Sequence, residues 1–315
     1  MKSYIGKRLL QAVIVLLGAT LLIYALVFAM PGDPALAIVG EKNQHNQALI
    51  NQVRAQYNLD KPFILQYLLF MKGVFTLNFG NAMQFGHQPV INLIGQAFPA
   101  TICLALLAFA FELVIGIVVG VVAGIKRGGI FDQTVLILTL VLIAVPTFVT
   151  GFIARLFFGV DWKLLPPTVD NNLDFIHLLM PALILASVSI ANIVRLTRNE
   201  VSTNLSADYV QTAKAKGLSK IRITFVHVLR NSLIPVVTYL GADLGALMGG
   251  AVVTETVFNV HGIGNLLYKA IPQGDGPLIV SIVTILVLIF VISNLLVDIL
   301  YAFLDPRIRY GKGEN

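Results

Sequence analysis

From Leu9 to Met30 the chain carries no charged side chain, and five more apolar runs of spanning length follow it: Pro99–Ile125, Gln133–Val160, His177–Val194, Ser232–Thr254 and Pro277–Leu304. An α-helix rises about 1.5 Å per residue, so about 20 apolar residues cross a hydrocarbon layer of about 30 Å. Backbone groups inside that layer find no water, and a helix satisfies them within one segment. Charged residues make up 12% of the chain and hydrophobic ones 57%, whereas a soluble domain carries about 25% charged residues. The fold class that follows is an all-α integral membrane protein with six transmembrane helices.

Residues 1–8 hold Lys2, Lys7 and Arg8. A cleaved signal peptide would have an apolar core of roughly 7–15 residues followed by a small-x-small site. Met30-Pro31-Gly32-Asp33-Pro34 stands there instead, which predicts a retained transmembrane helix over 1–30. Residues 31–97 are expected to form an extracytoplasmic loop subdomain. Within it Phe63–Phe75 is apolar, too short to span and interrupted by Lys72, as suits a helix on the outer membrane surface or against the bundle. Residues 98–305 would form a core of five transmembrane helices with a loop at 195–231, and 306–315 a cytoplasmic tail. Fifteen of the 22 Lys and Arg residues fall in 1–8, 126–127, 195–231 and 306–315. The positive-inside bias therefore puts both termini and the 195–231 loop in the cytoplasm. The same distribution accounts for the net charge of +6 without nucleic acid. Cys103 is the lone cysteine, so no disulfide forms within the chain.

Enzyme chemistry finds few residues to stand on. Gly120–Lys126 contains glycine and lysine, but not at the spacing of a phosphate-binding loop, and it lies within an apolar run. The five histidines are scattered and none has a metal-ligand partner at a suitable spacing. No serine sits in a hydrolase elbow. The charges inside the spans are more informative, because a carboxylate at the centre of a bilayer costs roughly 2.5–3.5 kcal/mol on insertion scales. Glu112, Asp243, Asp298 and Arg155 either line a pathway for a polar solute or form structural pairs and snorkelling ends. Glu255, where the fifth span meets the outside, could receive a solute's ammonium group. Gly241, Gly245, Gly249 and Gly250 let helices approach closely, either within this chain or against a second membrane subunit.

Asp208–Pro235 is polar and basic, yet lies between two spans. Read as helix, Tyr209, Val210 and Ala213 share a side, with Gly217 next in line and able to break the helix. A second helical run has Ile221, Phe225, Val228 and Leu229 on one face and basic residues opposite. This is either an ordinary interfacial helix or a small-residue patch that another protein grips.

The residues of this stretch, Asp208-Tyr209-Val210, Thr212 to Leu218, His227, Leu229-Arg230-Asn231 and Ile234-Pro235, carry a resemblance. So do Pro31-Gly32-Asp33-Pro34, Asn58 to Pro62, Thr254 to Phe258 with Gly262-Ile263-Gly264, and Asp305 to Arg309. Together they make the chain similar to the B-type permease subunits of dipeptide and oligopeptide ABC importers. Gln211-Thr212-Ala213 departs from the Glu-Ala-Ala with which the general permease motif begins. The resemblance implies a sister permease subunit, two ATP-binding subunits carrying ATP and Mg, and an extracytoplasmic peptide-binding protein, with no cofactor and no catalytic residue in this chain. It implies that Tyr209, Ala213, Ala215 and Gly217 form a cytoplasmic coupling helix between spans four and five. Glu112, Asp243 and Glu255 are then the candidate pathway-lining residues. Related permeases carry nickel or glutathione, and a stand-alone secondary transporter is the alternative outside the family.

Overall fold

Helices take up most of the residues described in the computed structural model, namely 2–28, 34–39, 45–169 and 173–304. Five of them are long and apolar enough to cross a membrane, and a bent pair makes a sixth crossing if it is counted as one. In chain order they are α1 (Lys2–Phe28), α2 (Pro34–Val39), α3 (Gln47–Gln56), α4 (Phe63–Phe75), α5 (Val90–Ile125) and α6 (Ile130–Ala144). Then come α7 (Thr147–Asp161), α8 (Phe175–Leu205), α9 (Asp208–Ala215), α10 (residues 220–258), α11 (Ile263–Ala270) and α12 (Gly276–Leu304). The Pro31–Asp33 run, the 305–309 run and the 306–315 tail lie outside the described residues, as does the side chain of Asp298.

The third apolar run is not one straight span. It breaks at Val145-Pro146 into α6 and α7, which meet at 103°. Proline disfavours helical geometry in the residue before it and removes a helix donor. Val145 is accordingly extended, with φ −92° and ψ 126°. Pro99, Pro181 and Pro235, in contrast, lie inside continuous helices.

The fourth span runs well past the expected 177–194. Asp174 caps it, accepting from the His177 backbone N–H at 3.0 Å and facing the His177 ring, and these contacts hold its pKa below the ordinary carboxylate value. At the other end α8 continues through Arg195 and Arg198 to Leu205. The second half of the basic stretch is not a separate helix either. Residues 220–258 run on through a π turn at Ile223–Val228 into the fifth span. That wider turn shifts the register, so Ile223 and Val228 face inward while Ile221 and Phe225 are exposed.

Close backbone approach organises the bundle around α8. A Cβ added to Gly116, Gly120 or Gly124 of α5 would lie 2.6 Å from Ile193 Cγ2, 2.6 Å from Thr197 Cβ and 2.8 Å from Val201 Cβ. Small residues at four-residue spacing allow such contact. On α10, a Cβ at Gly241 would lie 2.8 Å from Val297 and one at Gly245 3.0 Å from Ser293, both on α12. These two glycines therefore pack within the chain; Gly249 faces open space.

Residues 63–89 pack against α1, α11 and α12, while α3 packs on α2 through Ile50, Val53, Ala35 and Val39. Tyr67, Met71 and Val74 of α4 join a core with Tyr24, Ile263, Leu278 and Ile282. The Tyr67 hydroxyl lies 2.9 Å from Thr20 Oγ1, a buried contact between α4 and α1. Asp275 is fully buried and works at two places. It accepts from the Leu278 N–H at 3.2 Å at the start of α12, and from the Gln84 N–H at 2.8 Å, which ties the subdomain to the bundle.

Candidate functional site

The short helix α9 has its ends and faces defined by local contacts. Gly217 has φ +77°, the left-handed region that glycine enters without steric cost. The Leu218 N–H reaches the Ala213 carbonyl at 3.2 Å and the Gly217 N–H reaches the Lys214 carbonyl at 2.9 Å. This pair of bonds is a Schellman stop, completed by Leu218 folding back onto the apolar side of the helix. Val210 and Ala213 are buried against Val121, Val201, Ile223 and Val228. Tyr209, Ala215 and Gly217 are exposed, and the Tyr209 hydroxyl donates to Asn204 Oδ1 at 2.7 Å. The four residues singled out from the sequence thus divide: three lie on the outward side of α9, and Ala213 anchors it from within.

An ion pair that no local sequence pattern announces joins α6 to α8. Arg198 on α8 meets Asp132 on α6 with two bonds, Nη2 to Oδ2 at 2.6 Å and Nε to Oδ1 at 2.9 Å. The Gly128 N–H donates to the same carboxylate at 2.8 Å, and Arg127 donates to Ser202 at 2.9 Å. The side chain of Asp132 is 1% exposed and that of Arg198 16%, so solvent reaches the pair only from the arginine's side. Removing one member of a buried pair strands the other, and Asp132→Ala should cost about 3 kcal/mol. Asp132→Leu combined with Arg198→Met should recover most of that loss. Denaturant titration of the detergent-solubilised chain tests both, and an unchanged midpoint for Asp132→Ala would show that the pair contributes nothing.

The structure brings Glu112 and Asp243 together and leaves Glu255 elsewhere. Glu112 opens a π turn, Glu112–Gly116, within α5 and is fully buried. Its carboxyl faces the Asp243 carboxyl and the Ser189 side chain. Neither Glu112 oxygen completes a hydrogen bond, and Asp243 Oδ2 is likewise unpartnered. Asp243 and Ser189 border a cavity of about 380 Å³ whose other walls include Thr147, Phe148, Leu185 and Leu247. Thr147 and Phe148 belong to the first turn of α7, just after the Pro146 break.

Glu255 lies 12 residues beyond Asp243 on α10, about 18 Å along the axis. It is fully buried, and its oxygens accept from Thr101 Oγ1 at 2.6 Å and from the Asn265 N–H at 3.0 Å. Thr101 in turn accepts from the Ile263 N–H at 2.8 Å. A carboxylate at a helix N-terminus meets unpaired N–H groups and the positive end of the dipole. Glu255 therefore caps α11 and does not face open space. Gly262 and Gly264 leave room for it, since a Cβ on Gly262 would collide with the Glu255 carboxyl and one on Gly264 with Val252. Arg155 donates to the Val257 carbonyl at 2.8 Å, a structural partner at the end of α10.

Comparison with known proteins finds similarity along nearly the whole chain. The family described as "Binding-protein-dependent transport system inner membrane component" matches residues 116–310, and its N-terminal companion matches residues 1–105. The dipeptide transport system permease protein DppB of Escherichia coli (strain K12) is 35% identical over 345 residues, covering 99% of this chain and 100% of that one. A probable peptide ABC transporter permease protein of Sinorhizobium fredii (strain NBRC 101917 / NGR234) is 35% identical over 316 residues, covering 98% and 100%. A putative peptide transport system permease protein of Brucella abortus (strain 2308) is 36% identical over 316 residues, again covering 98% and 100%. The chain belongs to the family of binding-protein-dependent transport system inner membrane components.

Proposed function

We propose that this chain is one of two permease subunits of an ATP-driven importer of di- and oligopeptides in the inner membrane. A sister permease completes the pathway, two cytoplasmic ATP-binding subunits supply the work with ATP and Mg, and an extracytoplasmic binding protein delivers the peptide. Both termini and α9 lie on the cytoplasmic side, and residues 31–97 on the other. The printed names of the relatives supply the peptide.

The observation that carries the reading is the form of α9. One side is fastened to the chain's own core through Val210 and Ala213, while Tyr209, Ala215 and Gly217 are left outward with no bulky side chain at the last two. A lone carrier has no need of such a platform. A partner that grips it moves α8 and α10 together, because α9 rests on Val201 and Val228. Glu112 and Asp243 then line the pathway, and Glu255 shapes its outer mouth by holding α11.

Gly217→Val forces a β-branched residue into left-handed geometry, at a cost of roughly 1–2 kcal/mol. Ala213→Trp cannot keep the buried face closed. Each should lower ATP-driven uptake at least about tenfold, the equivalent of 1.4 kcal/mol in occupancy of the coupled state. Each should also reduce the amount of ATP-binding subunit that co-purifies, while the chain stays in the membrane. Wild-type uptake by both variants would overturn the coupling role of α9.

A further inference from the structure

Glu112 and Asp243 sit together with no cation beside them among the described residues. Two carboxyl groups face each other within an apolar bundle, and a negative charge there is costly without a counter-charge. The side chains around them come from three elements: Ser189 and Asn192 from α8, Tyr239 from α10, and Thr147 and Phe148 from α7. None is a cation. Of the arginines on α7 and α8, Arg155 bonds the Val257 carbonyl, Arg198 bonds Asp132, and Arg195 lies one turn beyond Asn192 toward the Leu205 end of the helix. One shared proton joins two carboxyl groups held this close, and it satisfies at most one oxygen of each, so the remaining oxygens still call for a donor.

The cavity beside the pair has room for one. Its volume, about 380 Å³, falls in the range of small-molecule sites. Asp243 and Ser189 offer it acceptors, the Glu112 carboxyl stands against Asp243 behind them, and a primary ammonium has three N–H donors. Phe148, Leu185 and Leu247 supply an apolar wall for the atoms beyond the nitrogen. A divalent cation fits poorly, since calcium takes six to eight oxygens and magnesium an octahedral set.

We propose that Glu112, Asp243 and Ser189 form a site in the membrane interior for the primary ammonium group of the cargo in transit. The site rests on the reading of the cargo as peptide, each of which carries one such group at its N-terminus. It replaces Glu255, whose carboxylate is spent on α11, as the acidic group that meets the ammonium.

The test uses the complete importer in liposomes, with binding protein at saturating concentration. Asp243→Asn should lower ATP-driven uptake of a free-amine dipeptide about tenfold, the effect of losing one charge-assisted hydrogen bond. The ATP-binding subunits should still co-purify. A second readout needs no variant. Zero-length carbodiimide coupling should join the dipeptide amine to Glu112 or Asp243 in the wild-type complex, read by mass spectrometry, and the N-acetylated dipeptide should give no such adduct. Unchanged uptake by Asp243→Asn, or no adduct at either residue, overturns the site. If the wild-type complex takes up no dipeptide at all, the peptide reading itself falls and takes the site with it. Wild-type uptake without an adduct overturns the site alone.

Discussion

Replacing Gly120 by leucine should leave almost no folded chain in the membrane. A Cβ at this position would already sit 2.6 Å from Thr197 Cβ and 2.8 Å from the Val194 carbonyl oxygen. One of those neighbours is helix backbone, which cannot turn aside as a long side chain can. Overpacking a well-filled site typically costs 1–3 kcal/mol, and Gly120→Ala should cost about that much. Leucine adds three more carbons to the same closed contact and forces α5 away from α8. Gly116 and Gly124 lie on the same ridge and would lose their contacts with Ile193 and Val201 as it opened. Since α8 also carries Arg198 and leads into α9, its displacement should remove function together with stability. The measurement is the fraction that stays monodisperse after heating in mild detergent. Gly249→Ala is the control, because a Cβ there meets nothing within 4 Å, and it should behave as wild type. A Gly120→Leu protein with unchanged thermal survival would show that the α5–α8 contact is not as close as described.

Glu255→Ala should release α11. The carboxylate accepts from Thr101 and from the Asn265 N–H, and the Thr101 hydroxyl holds the Ile263 N–H in turn. Alanine would leave these buried donors with nothing to bond. Each stranded donor costs about 1–3 kcal/mol, and the sum should be on the order of 3 kcal/mol or more. Glu255→Gln keeps one acceptor of similar shape and should lose about half of that. Hydrogen exchange over residues 263–270 reads the effect directly, since a freed helix exchanges faster than the rest of the bundle. Equal protection in the alanine variant and the wild type would remove the capping role.

The capping role shows what could be read in advance and what could not. Thr254 to Phe258 with Gly262-Ile263-Gly264 stood out as a motif, and Glu255 stood out as a carboxylate near the end of a span. Nothing in that local pattern says that the chain folds back after Asn259, which is left-handed with φ 53°, and delivers the N–H groups of α11 to the carboxylate. Asp132 and Arg198 are 66 residues apart, and Arg198 falls within the loop expected at 195–231. The glycines on α10 were visible at their spacing, but which surface they meet depends on where α12 lies. Gly116, Gly120 and Gly124 have the same spacing, but the phosphate-loop comparison took in only Gly120–Lys126; the four-residue repeat is the signal that finds the α5–α8 contact.

The sequence by itself determined the apolar runs, the membrane class, the helical state of each run and the glycine that ends α9. Those depend on quantities summed over neighbours in the chain: transfer free energy, backbone satisfaction and the steric freedom of one residue. Only the tertiary structure decided that Pro146 breaks its run while Pro99, Pro181 and Pro235 do not, that Ala213 faces inward, and that Glu112 meets Asp243. These outcomes turn on which side chains and carbonyls arrive from distant segments to fill a gap or accept a bond. Such partners are pairwise and non-local, and hydropathy along the chain carries no record of them.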